Sequence, residues 1–217
     1  MGIMQRTRLV TLDTLRRALA RPLPGLPAQL HMSPPYRAGI VPREIVDPNY
    51  GGVLILLYPH AGELHFVLML RSDHPADRHK GQISLPGGRH EAFDAGYVAT
   101  ALREAREELG IALDDYELLG SLSPLYIPPS NFHIYPAAAY TPARPHFVPD
   151  PAEVAALIEV SLNTLLDPAT RMVEEWTMPQ YNNATVMMPH YQIAGHKVWG
   201  ATAMVLAEFA SLIAAEL

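Results

Sequence analysis

Residues Gly87 to Ile111 read GGRHEAFDAGYVATALREAREELGI, a glycine turn followed by a carboxylate-rich segment. Thr100 to Leu109 lacks Gly and Pro and is rich in Ala, Leu, Glu and Arg, which predicts a helix, with Gly110 placed for a left-handed C-terminal cap. At 3.6 residues per turn Glu104, Glu107 and Glu108 share one face, whereas Val98, Ala101, Leu102, Ala105 and Leu109 fall mainly on another. The expectation is an acidic face turned outward and an apolar face turned to the core.

Outward from this stretch, the sequence alternates strand and helix signals. Gly52 to Tyr58 and Leu64 to Leu70 read as two buried strands joined by a hairpin, and Arg71 to Lys80 as a polar loop leading to the glycine turn. Beyond the acidic helix, Tyr116 to Leu122 is expected as a strand and Pro124 to Pro136 as an aromatic, proline-rich pocket wall leading into Ala137 to Tyr140. Thr141 to Pro151 reads as a surface loop, Val154 to Val160 as a strand and Leu162 to Leu166 as a short helix. Arg171 to Ile193 is ambiguous, with strand character at Thr185 to Met188 and Tyr191 to Ile193, and Gly200 to Ala215 closes the chain as a helix packed on the sheet. Ahead of all this, Val10 to Ala20 predicts a short helix capped by Thr11 or Asp13. Seven prolines between Arg21 and Pro48 then predict an ordered arm over the surface, or part of a homodimer contact. The order of elements fits a mixed α/β domain, residues 49–217, preceded by a helix and proline-rich arm, residues 1–48.

Composition narrows the chemistry. A formal charge of −6 gives nucleic acid or an anionic membrane no attractive field. With no cysteine there are no disulfides, thiolate zinc sites or cysteine nucleophiles. The ten histidines, His74 and His79 among them, show no zinc spacing. No apolar run approaches the ~20 residues that span a bilayer, and the expectation is a soluble cytoplasmic protein.

Three glutamates within about one turn repel each other by a few tenths of a kcal/mol per exposed pair, and Arg103 and Arg106 neutralise only part of that. A divalent cation resolves the conflict, and oxygen donors favour magnesium or manganese held together with substrate phosphates. The alternative is a solvated acidic face, common on exposed helices.

Gly88, Asp94 and Arg103-Glu104-Ala105-Arg106-Glu107-Glu108-Leu109-Gly110-Ile111 resemble the Nudix box. Asp94 replaces the usual glutamate, and the spacer to Arg103 is one residue longer than the general pattern, a combination similar to the coenzyme A pyrophosphatase branch. Leu70-Arg71-Ser72 and His79 to Gly88 resemble that branch's additional motif, with the stretch from Arg71 to His79 one residue longer than is typical. Tyr126 to Phe132, Glu153-Val154 and Val198 to Ala203 are similar to it as well.

The resemblance implies an α/β/α sandwich with a mixed sheet and metal-dependent hydrolysis of a substituted diphosphate. Coenzyme A or a derivative is the expected substrate, giving 3′,5′-adenosine bisphosphate and 4′-phosphopantetheine. Within the family the alternative is an ADP-ribose or nucleoside diphosphate sugar hydrolase, and outside catalysis a nucleotide-binding regulatory module. The resemblance makes Glu104, Glu107, Glu108 and the Gly88 carbonyl the ligands of Mg2+ or Mn2+, and Arg103 the residue that orients them, with Asp94 as partner. The general base is one of the helix glutamates or Glu153, whose plain alternative is a strand-end surface residue. Arg71, His79, Lys80 and Arg89 flank the site as candidate phosphate ligands, with solvated loop charges as the alternative. Gln82 is a candidate substrate contact or a strand-end partner, as is Ser84. Tyr126, Asn131 and Phe132 are candidates to wall the pocket or stack on a base, and Trp199 is read as a core or capping residue.

Overall fold

The computed structural model describes residues 9–34, 45–73, 79–178 and 183–217. Its centre is the strand β1, Asn49–His60, whose run of apolar residues alternates between two faces. Leu54, Leu56 and Tyr58 pack in one core with Val67, Ala101, Leu102, Ala105 and Leu109. Ile55 and Leu57 lie in the other core with Phe66, Leu68 and the C-terminal helix. A strand carrying apolar residues at both parities must be covered on both sides, and the two cores are the two halves of an α/β/α sandwich.

β1 turns at Ala61–Gly62 into β2, Glu63–Arg71, as an antiparallel hairpin. β3, Ile83–Ser84, pairs with β2, and β4, Gly87–Arg89, returns along the start of β1. The helix α3, Tyr97–Leu109, follows, starting three residues ahead of Thr100 and ending at Gly110 with φ +59° as expected. β5, Glu117–Ser121, and β6, Leu125–Ile127, both pair with β7, Phe132–Tyr140, which runs parallel to β1. The remaining pairs are antiparallel, so the sheet is mixed. β8, Val154–Ser161, pairs with β2 and leads into α4, Leu162–Leu166. A separate antiparallel sheet holds β9, Arg171–Met178, β10, Ala184–Ile193, and β11, His196–Trp199. The last helix, α5, Gly200–Ala214, is buried along most of its length in the second core.

Two strands run through prolines at which the sequence suggests a break. β7 contains Pro136 and β10 contains Pro189, residues that normally argue against a strand interior. Pro136 falls between the stretches of β7 paired with β6 and with β5, and Pro189 just before β10 meets β11. Each proline thus sits where one edge of its strand has no ladder partner.

The N-terminal region folds as α1, Leu12–Leu19, and α2, Leu26–Gln29, with a 3-10 turn over Leu30–Met32. Thr11 is the cap of α1, its Oγ1 accepting from Thr14 N–H at 3.2 Å. Val10, Leu15, Ala18, Leu19 and Met32 join the core around α5. The expected arm is therefore partly helical, while its residues 35–44 lie outside the described set. Among the described residues no helix is long and apolar enough to cross a membrane.

Candidate active site

The acidic helix is not simply acid outward. Glu107 is 58% exposed, Glu104 is 16% exposed and Glu108 only 2%. Glu108 continues the buried stripe Ala101–Ala105 by one further turn, a position the outward-facing expectation misassigned. Its Oε2 accepts from the Gly87 N–H at 2.8 Å, and Arg71 Nη1 lies 3.7 Å from Oε1. Burial pushes the Glu108 carboxyl up to about 8 against the Gly87 amide and Arg71, with Glu104 and Glu153 adding repulsion. Burial also raises Glu104, whose field includes Glu107 and Glu153.

The glycines make room for this arrangement. A Cβ on Gly88 would stand 2.5 Å from the Glu104 carboxylate, so the carboxylate packs directly on the turn. A Cβ on Gly51 would stand 2.3 Å from the Gly88 carbonyl oxygen, so the close approach of β1 to β4 at this point requires glycine.

Arg103 organises the cluster. Nε and Nη2 donate to the two Asp94 oxygens at 2.9 and 3.1 Å, Nη2 also donates to the Arg89 carbonyl at 2.9 Å, and Nη1 reaches Glu104 and Glu107, each at 2.9 Å. Asp94 accepts in addition from Glu91 N–H and Thr100 Oγ1. The guanidinium beside it holds the Asp94 carboxyl well below the usual carboxylate range, despite burial, with those two donors helping.

Glu153 arrives from the far side of the chain. The loop ahead of it is hung on the end of α3, with Val148 N–H donating to Leu109 O at 2.9 Å and Asp150 N–H to Glu108 O at 3.0 Å. Further back, Arg144 is paired bidentately with Glu159 at 2.7 and 2.8 Å. Ser72 N–H then donates to Glu153 O at 2.8 Å, seating this exposed residue beside Arg71 within the field of Glu104 and Glu108.

A cavity of about 730 Å3 opens from the Gly87–Gly88 turn. Arg71, His79, Gln82 and Phe132 line it, and His79 Nδ1 lies 3.3 Å from Gln82 Oε1. The other sequence candidates are placed elsewhere. Lys80 pairs with Asp73 at 3.1 Å and Arg89 donates to Asn49 Oδ1 at 2.7 Å, neither lining the cavity. Tyr126 donates to Asn131 Oδ1 at 2.9 Å. Asn131, at φ +50°, bonds the Val46 and Asp47 carbonyls and so holds the entry to β1. His74 lies outside the described residues.

The sequence reading did not foresee the opposite wall, where Trp199, Gly200, Ala201, Thr202 and Val205 from the start of α5 face the cavity. The signal available was a run of small residues, Gly200 to Ala203, at a helix start. Small side chains there leave volume beside the sheet instead of filling it.

The donor set fits a divalent cation. Carboxylate oxygens of Glu104 and Glu108 pack against the Gly87–Gly88 turn, and burial disfavours the negative charge of both. Among the described residues no three acidic or histidine side chains converge as a ready cage.

Residues 49–180 match the family model described as NUDIX domain, and the chain belongs to the Nudix family. It is a Nudix diphosphate hydrolase of the branch that resembles coenzyme A pyrophosphatases. It is 34% identical over 174 residues to the human mitochondrial coenzyme A diphosphatase NUDT8, covering 80% of this chain and 72% of that one. It is 30% identical over 157 residues to the Nudix hydrolase NudL of Yersinia pestis (strain Pestoides F), covering 68% and 71%. Among solved structures, a MutT/nudix family protein from Enterococcus faecalis aligns at TM-score 0.47 and 16% identity, covering 93% of this chain and 73% of that one.

Proposed function

We propose that this enzyme hydrolyses the internal diphosphate of coenzyme A or a coenzyme A derivative, using Mg2+ or Mn2+. Water adds across one P–O–P bond, and the products are two phosphate monoesters, 3′,5′-adenosine bisphosphate and the 4′-phosphopantetheine portion. The observation that carries this reading is the large, mainly apolar cavity that opens from the carboxylate-lined turn. A diphosphate bearing a long, weakly polar arm fills both regions, and the named activity of the human relative agrees with it.

In this reading Glu104, Glu108 and the Gly88 carbonyl hold the cation, with Glu107 completing the set as substrate arrives. The cation neutralises phosphate oxygens and acidifies water when bound. Arg103, locked by Asp94, keeps Glu104 and Glu107 in place so that little reorganisation is needed. Arg71, beside Glu108 and on the cavity wall, is set to contact a phosphate oxygen, with His79 and Gln82 along the same wall. Glu153 is the candidate to take the proton from the attacking water, being exposed, seated beside Arg71 and within the field of Glu104 and Glu108.

The test is a panel of coenzyme A, ADP-ribose, NADH, dinucleoside polyphosphates and nucleoside triphosphates, assayed with each metal. Coenzyme A is expected to give the highest kcat/KM. A preference for ADP-ribose overturns the substrate and keeps the reaction class. Binding without turnover of any diphosphate replaces the enzyme with a nucleotide-binding module.

A further inference from the structure

The buried polar cluster at Glu208 lies away from the carboxylates of α3 and has no part in the chemistry above. Glu208 is fully buried in α5, and its carboxylate ties that helix to two other chain segments, three segments in all. Gly25 N–H donates to Oε1 at 3.1 Å, Gln29 Nε2 to Oε2 at 2.9 Å, and Ser123 N–H is shared between the two oxygens at 3.3 Å. Gln29, itself 1% exposed, also donates to the Ser123 carbonyl at 3.1 Å, closing the cluster. Gly25 takes φ +62°, and a Cβ there would press on Ser123 Oγ at 3.3 Å, so this corner is built for glycine.

Those three segments lead directly to walls of the cavity. On α5, Ala201, Val205 and Glu208 follow at i, i+4 and i+7 and share a stripe, whose first two members line the cavity. Ser123 is joined through Pro124 to β6, whose last residue, Ile127, lines it too. Gln29 leads through the buried Met32 to Pro34, the contribution of the N-terminal region to the same wall. A buried carboxylate costs stability unless its bonds are satisfied, and satisfying them here fixes three otherwise separate backbones relative to one another.

We propose that Glu208 and Gln29 are positioning residues that set the shape of the apolar end of the cavity, making the N-terminal segment through Pro34 part of the recognition of the substrate's non-nucleotide arm. The proposal rests on the reading that this cavity takes the substrate. It assigns the arm-binding end to the lock, and leaves the phosphates and the adenosine to other residues.

The experiment compares wild type with Glu208→Gln and Gln29→Met, titrating each with 4′-phosphopantetheine and with 3′,5′-adenosine bisphosphate in the presence of magnesium. Both variants are expected to weaken 4′-phosphopantetheine about tenfold and to leave the bisphosphate within twofold. In turnover of coenzyme A, KM rises and kcat changes little. Equal weakening of both fragments, no weakening of either, or failure of wild type to bind 4′-phosphopantetheine overturns the proposal. Should the lock variants not fold, Pro34→Gly, at the wall itself, is expected to give the same selective loss, and unchanged binding in it is equally decisive. Failure of the hydrolase reading shows separately, as fragment binding without turnover.

Discussion

The Gly87 N–H donates to Glu108 Oε2 at 2.8 Å, joining the turn before the acidic helix to that helix's last turn. The bond gives a buried carboxylate an orientation, leaving Oε1 toward Arg71. Gln in its place keeps an oxygen able to accept from Gly87 and loses the charge. Glu108→Gln is therefore expected to lower kcat on the order of a thousandfold, with the thermal midpoint held within a few degrees. Full turnover in that variant removes Glu108 from the chemistry.

Asp94 is 4% exposed and both its oxygens face Arg103. Asp94→Asn is expected to cost about 2 kcal/mol at neutral pH, the scale of a charge-assisted hydrogen bond in a buried setting. The pH dependence follows from the lowered carboxyl. Below the ordinary aspartate value of about 4 the unfolded chain binds the proton first, so stability from this pair is whole above that pH and is lost as pH falls toward the folded value. Urea unfolding from pH 7 to pH 3 should show wild type losing its advantage over the variant at the acid end. A constant gap across that range contradicts the assignment.

At Gly88 an added methyl would meet the carboxylate of Glu104 at 2.5 Å. The clashing group is the end of a flexible side chain, so the fold can yield where the site cannot. Gly88→Ala is expected to reduce kcat by on the order of a hundredfold and shift the melting temperature little. Retained activity means Glu104 does not act from the position seen.

Glu153 depends on a loop whose hydrogen bonds end on Leu109 and Glu108. Glu153→Gln is expected to lower kcat about a hundredfold, with KM unchanged. Undiminished kcat in that variant assigns proton removal to the helix glutamates instead.

The sequence carried the layers and the acidic helix because these depend on local signals: the two-sided apolar run of β1, and the break-free stretch ending at Gly110. Glu108 was read as exposed because a carboxylate on a helix is assigned outward, yet its position continues the Ala101–Ala105 stripe and its partner, Gly87, lies 21 residues earlier. Lys80, Arg89, Tyr126 and Asn131 had the right chemistry, but each is engaged by a neighbour that only the folded chain reveals. Val198 to Ala203 stood out in the sequence only through the family resemblance, and its role as the far wall of the cavity was not assigned because small residues at a helix start carry no chemistry of their own.

The parallel pairing of β1 with β7 sets Asn49 against Phe132 and Leu57 against Tyr140. During synthesis, β1 can close its hairpin with β2 early, but the neighbour along its other edge does not exist until the ribosome has passed residue 140. Through that interval a strongly apolar strand has an open edge, and closing so long a loop slows folding. The acidic helix is already made by then, with no completed sheet to lie on. Assembly of the catalytic centre thus waits on the pairing of two strands that lie about eighty residues apart in the chain.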